Sequence, residues 1–186
     1  MLIFVDFEAT CWDKNEKYKQ PHAEIIEIGA VATGKDLKEI GKFSAVVKPT
    51  IEPLLSDYCK ELTGLSQTDV ENGIEFNRAI DLFYQWIIQY QDTDTPILYT
   101  WGNYDGFLLK RNLRRHRNKN KDFLKIIQKG GVANLQEKFL EFTKLPCSSC
   151  SLTKALQIIG EDYRGIKHRS INDAANMIKL YKYLGS

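Results

Sequence analysis

The chain has 186 residues, of which 43% are hydrophobic, and a formal net charge of +2. This length and apolar content predict one compact domain, residues 1–186, with a buried core. Neither a membrane protein nor a solenoid is expected, because no apolar run approaches the roughly 20 residues of a membrane span and no long period repeats.

The cysteines indicate a reducing compartment. Four of them are too few to staple a chain of this size, and the first apolar run is interrupted at Asp6, unlike a secretory segment. The sequence therefore predicts an intracellular, cytoplasmic protein with reduced thiols. We interpret Cys147 and Cys150 as free thiols in a loop, because a single CxxC without a second pair is a weak zinc or redox signal.

The net charge conceals a strongly basic segment. Residues 110–129 contain nine Lys or Arg and one acid, Asp122, so this segment carries +8 and the remainder of the chain carries −6. A charge run is usually a solvated face, but a basic segment on an acidic protein is also typical of proteins that bind a phosphate backbone. By itself the run does not decide between the two.

The first predicted strand carries two acids on one face. Side chains alternate along a strand, so Leu2, Phe4, Asp6 and Glu8 share a side, and the two carboxylates lie about 7 Å apart. Either the strand ends in solvent with hydrated acids, or a cation lies between them.

The elements that follow predict a mixed architecture. Asp13–Gln20 has the composition of a surface loop, and residues 24–33 and 37–49 read as two strands joined by a turn at Gly34. With the first strand they make a three-stranded antiparallel unit.

Helical patterns and one further strand complete the chain. Helices are predicted at 55–62, ending at Thr63-Gly64, and at 76–90, followed by a strand at 96–100 and an amphipathic segment after Gly102. Three later helical segments begin at Asn134, Ser151 and Ser170. The pattern is typical of an α/β sheet layered with helices.

Two more acids occur where packing does not require them. Asp105 follows the strand and a turn, and Asp173 lies at the start of the last helix, five residues after His168. Each has a structural explanation, since Asp105 suits the positive end of a helix dipole and Ser170-x-x-Asp173 matches a capping box. Taken together with Asp6 and Glu8, however, they supply the oxygen ligands that Mg²⁺ and Mn²⁺ require.

The spacing of these residues resembles a known group of nucleases. Asp6-x-Glu8, then Asp105, then His168-x-x-x-x-Asp173 is similar to the DEDDh, or DnaQ-like, 3′-to-5′ exonucleases, along nearly the whole chain. Within that group the chain resembles the Eri-type and KapD-like branch. The motifs that carry this likeness are DFEATC (6–11), EIIEIGAV (24–31), LSDYCKELTGL (55–65) and TWGNYD (100–105).

The resemblance implies a fold and a site. The fold would be a ribonuclease-H-like mixed sheet, with three antiparallel strands plus further parallel strands, flanked by helices. Two divalent ions, Mg²⁺ or Mn²⁺, would be held by Asp6, Glu8, Asp105 and Asp173, with His168 as general base. The candidates for contacts with the terminal nucleotide are Ala9, Thr10, Tyr58, Leu65 and Tyr104.

The implied chemistry is a two-metal hydrolysis. In this hypothesis Asp6 bridges both ions, Glu8 and Asp173 hold the ion that carries the water, and Asp105 helps to hold the second ion. His168 accepts the proton, since imidazole titrates near neutral pH, and its loop could move into place with substrate.

The sequence thus predicts a metal-dependent 3′-to-5′ exonuclease that releases nucleoside 5′-monophosphates from single-stranded ends, with RNA favoured over DNA. A DNA-trimming or proofreading exonuclease remains an alternative, as does a nuclease-fold regulator that binds protein. The regulator is disfavoured because a binding module has no reason to cluster four carboxylates. Since the first strand begins at Leu2, we expect a free-standing catalytic domain without a preceding nucleic-acid-binding module.

Overall fold

The computed structural model describes residues 1–90, 96–128 and 131–185. Within these residues one sheet has the strand order β3-β2-β1-β4-β5. Its strands are β1 (Leu2–Ala9), β2 (Ile25–Thr33), β3 (Glu39–Val46), β4 (Ile97–Thr100) and β5 (Val132–Asn134). β1 pairs antiparallel with β2 and β2 with β3, whereas the β1–β4 and β4–β5 pairs are parallel. The predicted mixed sheet is confirmed.

Helices cover both faces of the sheet. They are α1 (Asp57–Thr63), α2 (Gln67–Glu71), α3 (Phe76–Gln89), α4 (Tyr104–Arg115), α5 (Lys121–Gln128), α6 (Leu135–Thr143), α7 (Leu152–Ile158) and α8 (Ser170–Leu184). Among the described residues, none of these helices combines the length and apolar character that crossing a bilayer requires.

The two faces of β1 pack into different cores. Ile3, Val5 and Phe7 are buried against apolar residues of α3, α4 and α5, and Phe4 is buried on the other face against α6, α7 and α8. Asp6 and Glu8 continue the Phe4 face beyond the apolar part of the strand. The alternation read from the sequence therefore directs both acids toward α8.

Local capping signals begin and end several helices, as predicted for Asn134, Ser151 and Gly64. Ser56, Asn134 and Ser151 each accept a hydrogen bond from the backbone N–H three residues later. Gly64 ends α1 with a φ of 69°, a left-handed conformation that suits glycine. All four cysteines are free thiols, with Cys147 exposed and Cys150 buried.

The segment predicted as a loop at Asp13–Gln20 is instead largely a 3₁₀ helix, Lys14–His22. The Asp13 carboxylate accepts from the N–H groups of Asn15 and Glu16 and starts the turn. Arg111 and Arg115 of α4 donate to carbonyls at the end of this helix, so contacts distant in sequence support it.

The basic segment after Gly102 forms two helices rather than one. α4 ends at Arg115, Arg117 takes a φ of 48°, and α5 begins at Lys121. α5 buries Phe123, Ile126 and Ile127 in the core beside α3. Lys129, the last cation of the predicted basic run, lies outside the described residues.

Candidate active site

Four of the predicted catalytic residues line one cleft. Asp6, Glu8, His168 and Asp173 lie together around a space of about 540 Å³. The fifth, Asp105, is only 6% exposed, and its charge acts on Asp6 more strongly than that of any other carboxylate. Residues from both ends of the chain and its middle therefore meet at the carboxyl end of β1.

The parallel pairing of β1 and β4 brings Asp105 to this point. Leu2 pairs with Ile97 and Phe4 with Tyr99, so the two strands end on the same edge of the sheet. A turn after Thr100 leads into α4, and the Gly102 N–H donates to the Asn134 side chain at 3.1 Å. Asp105 lies in the first turn of α4.

The carboxylate of Asp173 is held on both oxygens. The Tyr163 hydroxyl donates to Oδ1 at 2.9 Å, and the backbone N–H of His168 donates to Oδ2 at 3.0 Å. The capping box considered for Ser170 and Asp173 is absent, because Arg169 is the N-cap residue and the Ser170 hydroxyl donates to Glu27 at 2.9 Å. Asp173 is thereby oriented toward the cleft by the loop that precedes α8.

The start of α8 approaches the backbone of β2 closely. A Cβ atom added to Gly29 would lie 2.1 Å from the backbone nitrogen of Ile171, so only glycine fits there. Gly29 pairs with Asp6, and Glu27 pairs with Glu8, across the β1–β2 ladder. The start of α8 thus packs on the part of β2 formed by the EIIEIGAV motif.

His168 enters the cleft from a turn with left-handed backbone, at a φ of 60°. Its side chain is exposed, and ligating atoms of Glu8, His168 and Asp173 all lie within 4.8 Å of one another. The backbone N–H of this residue donates to Asp173, and movement of its loop with substrate stays a prediction.

The carboxylates of the cleft strongly disfavour their own ionisation. Burial raises the pKa of Asp6 well above its ordinary value, and the charges of Asp105, Asp173 and Glu8 raise it further. Burial, followed by the charges of Asp173 and Glu27, raises the pKa of Glu8 to about 9. Such a cluster is stabilised when a cation is bound.

The other two acids behave in the same way. Burial raises the pKa of Asp105 to about 7, although a hydrogen bond from the Phe7 N–H opposes this. Burial also raises the pKa of Asp173, and the hydrogen bond from Tyr163 opposes it. These four carboxylates form a donor set that fits hard divalent cations.

The sequence that forms this cleft and the sheet around it matches a known protein family. The family model RNase_T, described as an exonuclease, matches residues 3–181. The chain belongs to the RNase_T exonuclease family. DEDDh exonucleases depend on divalent metal, in agreement with the grouping of Glu8, His168 and Asp173.

Relatives of the family extend the likeness across the chain. ERI1 exoribonuclease 2 of Mus musculus is 31% identical over 96% of this chain and 28% of its own length. "Probable 3'-5' exonuclease KapD" of Bacillus subtilis (strain 168) is 27% identical over 97% of this chain and 82% of its own. The chain therefore spans little more than a quarter of the mouse relative.

A solved structure has the same fold. The nuclease domain of 3'hExo, a DEDDh family member, bound to rAMP, superposes with a TM-score of 0.84 and 28% identity over 98% of this chain and 90% of that chain. The mixed sheet flanked by helices is thus the ribonuclease-H-like fold of DEDDh exonucleases, as the sequence resemblance implied.

The residues predicted to contact substrate separate into two groups. Ala9, Tyr58 and Tyr104 line the cleft, and the two tyrosines are 45% and 51% exposed. Thr10 is buried, and its hydroxyl accepts from the Glu24 N–H at 2.9 Å. Leu65 is 2% exposed and packs in a core cluster with Ile26, Leu55, Cys59 and Val70. The side chains of Thr10 and Leu65 are thus buried in the interior, and their contact with substrate stays a prediction.

Several residues of this family member's cleft were not identified from sequence. Leu62, Trp101 and Leu152 also line it, and the Trp101 ring nitrogen donates to the Cys150 carbonyl at 2.8 Å. Tyr163 and Glu27 support the cleft from outside it: Tyr163 donates to Asp173, and Glu27 accepts from Arg169 and Ser170. The EIIEIGAV motif was the available signal for Glu27, whereas Tyr163 lies in a loop with no recognisable pattern.

Proposed function

We propose that the chain is a metal-dependent 3′-to-5′ exonuclease acting on single-stranded nucleic acid, with RNA as its substrate in preference to DNA. Water adds across the last phosphodiester bond, the bond between phosphorus and the 3′ oxygen breaks, and a nucleoside 5′-monophosphate leaves. The shortened strand retains a 3′ hydroxyl. Residues 1–186 would act as one catalytic domain.

One observation carries this proposal. In a chain of the exonuclease family, Asp6, Glu8, Asp105 and Asp173 converge with His168 at one end of the sheet although 167 positions separate the first acid from the last. Nothing in core packing requires four acids to meet there, and burial, which raises the pKa of each, supports the need for a counter-charge.

Two ions, Mg²⁺ or Mn²⁺, would be held by the four carboxylates. When bound, they would supply the positive charge that activates water and offsets the charge developing at the phosphate. Tyr163 and the His168 N–H keep Asp173 oriented for its ion. The His168 imidazole accepts the proton of the attacking water, since it stands exposed beside Glu8 and Asp173.

Tyr58 and Tyr104 would hold the terminal nucleotide. Both are half-exposed aromatic side chains on the wall of the cleft, and aromatic faces stack on any base. The backbone of Ala9 lies on the same wall and can contact the sugar-phosphate. Because stacking does not read the base, we expect trimming with little sequence preference.

Matched oligonucleotides test the proposal. A 5′-labelled single-stranded RNA and the DNA of the same sequence are incubated with Mg²⁺, with Mn²⁺ or with EDTA. We expect stepwise shortening of the RNA from its 3′ end, release of 5′-monophosphates, weaker activity on DNA, and none in EDTA. Blocking the 3′ hydroxyl with a terminal phosphate should impede the reaction, whereas blocking the 5′ end should not.

Other outcomes would assign the chain differently. Faster shortening of the DNA would favour a DNA-trimming enzyme. Absence of hydrolysis with either metal would contradict the exonuclease proposal and leave protein binding as the role of the fold.

We propose the cytoplasm as the location of the protein, in keeping with the four free thiols.

A further inference from the structure

The outer face of α4 carries a stripe of exposed side chains that begins at the cleft. Tyr104 lines the cleft, and Phe107, Lys110 and Arg114 follow at helical spacing, with Arg117 just beyond the helix end. All five side chains are exposed. An aromatic start therefore leads into cations spread over one side of the helix.

Three cations of the basic segment have partners within the protein. Arg111 and Arg115 donate to backbone carbonyls at the end of the 3₁₀ helix, and Lys125 pairs with Asp122 at 2.8 Å. These three have structural partners. They are therefore not available in the same way for a ligand.

Lys110, Arg114 and Arg117 differ from them. Within residues 1–90, 96–128 and 131–185, none of these three side chains has a hydrogen bond or an ion pair. All three line one groove of about 460 Å³ between α4 and α5, over an apolar floor that includes Leu113, Leu124 and Ile127. Three unpaired cations on one groove suit a polyanion.

The groove and the cleft are both lined by residues of α4. Phe107 and Lys110 line a hollow of about 260 Å³ beside the Gly102 turn, and Lys110 also lines the groove. Ten residues separate Tyr104 from Arg114, which is about 15 Å along a helix. A strand whose last nucleotide lies in the cleft would meet these cations several nucleotides upstream.

We propose that Lys110, Arg114 and Arg117 form a backbone track that binds the phosphates of single-stranded RNA on the 5′ side of the nucleotide in the cleft, with Phe107 as a stacking face. This inference rests on the proposed function and specifies how substrate is held. A charged groove with an aromatic side chain is the usual way of holding a single strand without reading its sequence.

The test compares two triple variants of equal charge. Lys110→Gln/Arg114→Gln/Arg117→Gln removes the track. Lys35→Gln/Lys38→Gln/Lys42→Gln removes three exposed charges near the β2–β3 turn, at the opposite end of β2 from Glu27. Thermal melting should show both variants folded, because all six substitutions are on exposed side chains.

Binding is measured by fluorescence anisotropy with a labelled 20-nucleotide RNA in EDTA, over a range of salt concentrations. For single strands the slope of log K against log salt is about 0.7 per phosphate neutralised, so losing three contacts should reduce it by about 2. With equal binding of the two proteins at 1 M salt as the reference, the same relation predicts about 50-fold weaker binding by the variant at 0.15 M salt. The control variant should keep the wild-type slope.

Hydrolysis separates the track from the cleft. With Mg²⁺, the track variant should show a raised KM for the 20-nucleotide RNA but wild-type kinetics on a dinucleotide, whose only phosphate is the one that is hydrolysed. Unchanged RNA affinity, an equal loss in both triple variants, or an equal defect on the dinucleotide would each overturn the track. If wild-type protein hydrolyses neither substrate, the proposed function fails, while the anisotropy result still decides whether the groove binds RNA.

Discussion

Glu27 and Arg169, 142 positions apart, form an ion pair in which Arg169 Nε and Nη2 both donate to Oε1 of Glu27, at 3.0 and 2.6 Å. Glu27 is fully buried, and its other oxygen accepts from the N–H and hydroxyl of Ser170, each at 2.9 Å. One carboxylate of β2 therefore holds the residues between His168 and Asp173. It is a positioning residue for both.

The substitution Glu27→Gln should lower turnover much more than it weakens substrate binding. The amide loses the charge that Arg169 pairs with, so His168 and Asp173 lose their common support. We expect kcat to fall roughly tenfold or more, as for other partners of metal ligands, with KM within about twofold. The Mg²⁺ concentration for half-maximal activity should rise.

Glu24→Gln is the matched control for Glu27. Glu24 is also buried and lies just before the same strand, but it accepts from the N–H groups of Thr50 and Ile51, away from α8. It should lower the melting temperature and leave kcat near wild type. Equal losses of kcat in the two variants would show a general stability effect instead of positioning.

Asp105→Asn should abolish turnover without unfolding the protein. The amide keeps the volume of this buried side chain but is a poor ligand for a hard cation. We expect kcat to fall by roughly a hundredfold or more, and the metal-free melting temperature to stay the same or rise, because one repelling charge is removed. Asp36→Asn, at an exposed turn, is the control; full activity of Asp105→Asn would exclude Asp105 from the site.

His168→Ala tests the general base. Loss of a positioned proton acceptor lowers rates by about 10²- to 10⁴-fold. The acidic limb of the kcat/KM against pH profile should flatten, because that limb reports protonation of the base in the free enzyme. His22→Ala, on the exposed 3₁₀ helix, should retain the wild-type profile. A profile unchanged in His168→Ala would mean that another group accepts the proton.

Metal removal should make folding stability depend on pH. In the folded, metal-free chain the pKa of Glu8 is raised from 4.5 to about 9, so the folded state binds more protons than the unfolded state between these values. The contribution of Glu8 to stability is therefore fully present below about pH 4.5 and is lost as pH rises toward 9. Asp105 adds a similar loss between its ordinary pKa of 3.8 and about 7.

The substitution Glu8→Gln should reduce this pH dependence. In EDTA, the melting temperature of wild type should fall more steeply from pH 5 to 9 than that of the variant, and the variant should be the more stable at pH 8. Mg²⁺ should raise the wild-type value at pH 8 because the cation offsets the carboxylate charge. Parallel curves for the two proteins in EDTA would contradict the assigned burial of the charge.

Tyr58 should contribute to substrate binding through its ring. Tyr58→Ala removes an exposed aromatic face on the cleft wall, and one stack is worth about 1–3 kcal/mol, or roughly a five- to hundredfold rise in KM. Tyr58→Phe keeps the ring and should keep KM. A similar rise in both variants would assign the effect to the hydroxyl group.

Much of the fold follows from local patterns. The period-2 alternation of β1, the apolar run of β2, and the caps at Asn134 and Ser151 all depend on near neighbours, so they could be predicted from the sequence alone. The candidate catalytic set was also predicted from the sequence, because the spacing of its acids resembles that of a known nuclease group.

Other features required the folded chain. β5 is three residues long and is defined only by its pairing with β4, and the 3₁₀ helix at Lys14–His22 is held by arginines of α4. Thr10 and Leu65 share motifs with residues of the cleft, yet their side chains face the interior. Sequence spacing does not specify which side of a loop or short helix becomes buried.

The sequence by itself determined which residues could bind metal and which strand would present them, because alternation and donor chemistry are local properties. Only the tertiary structure decided that Glu27 contacts the start of α8, that Tyr163 orients Asp173, and that Lys110, Arg114 and Arg117 line one groove. Those roles depend on which distant groups are brought into contact, and contact between distant groups is settled by packing of the whole chain.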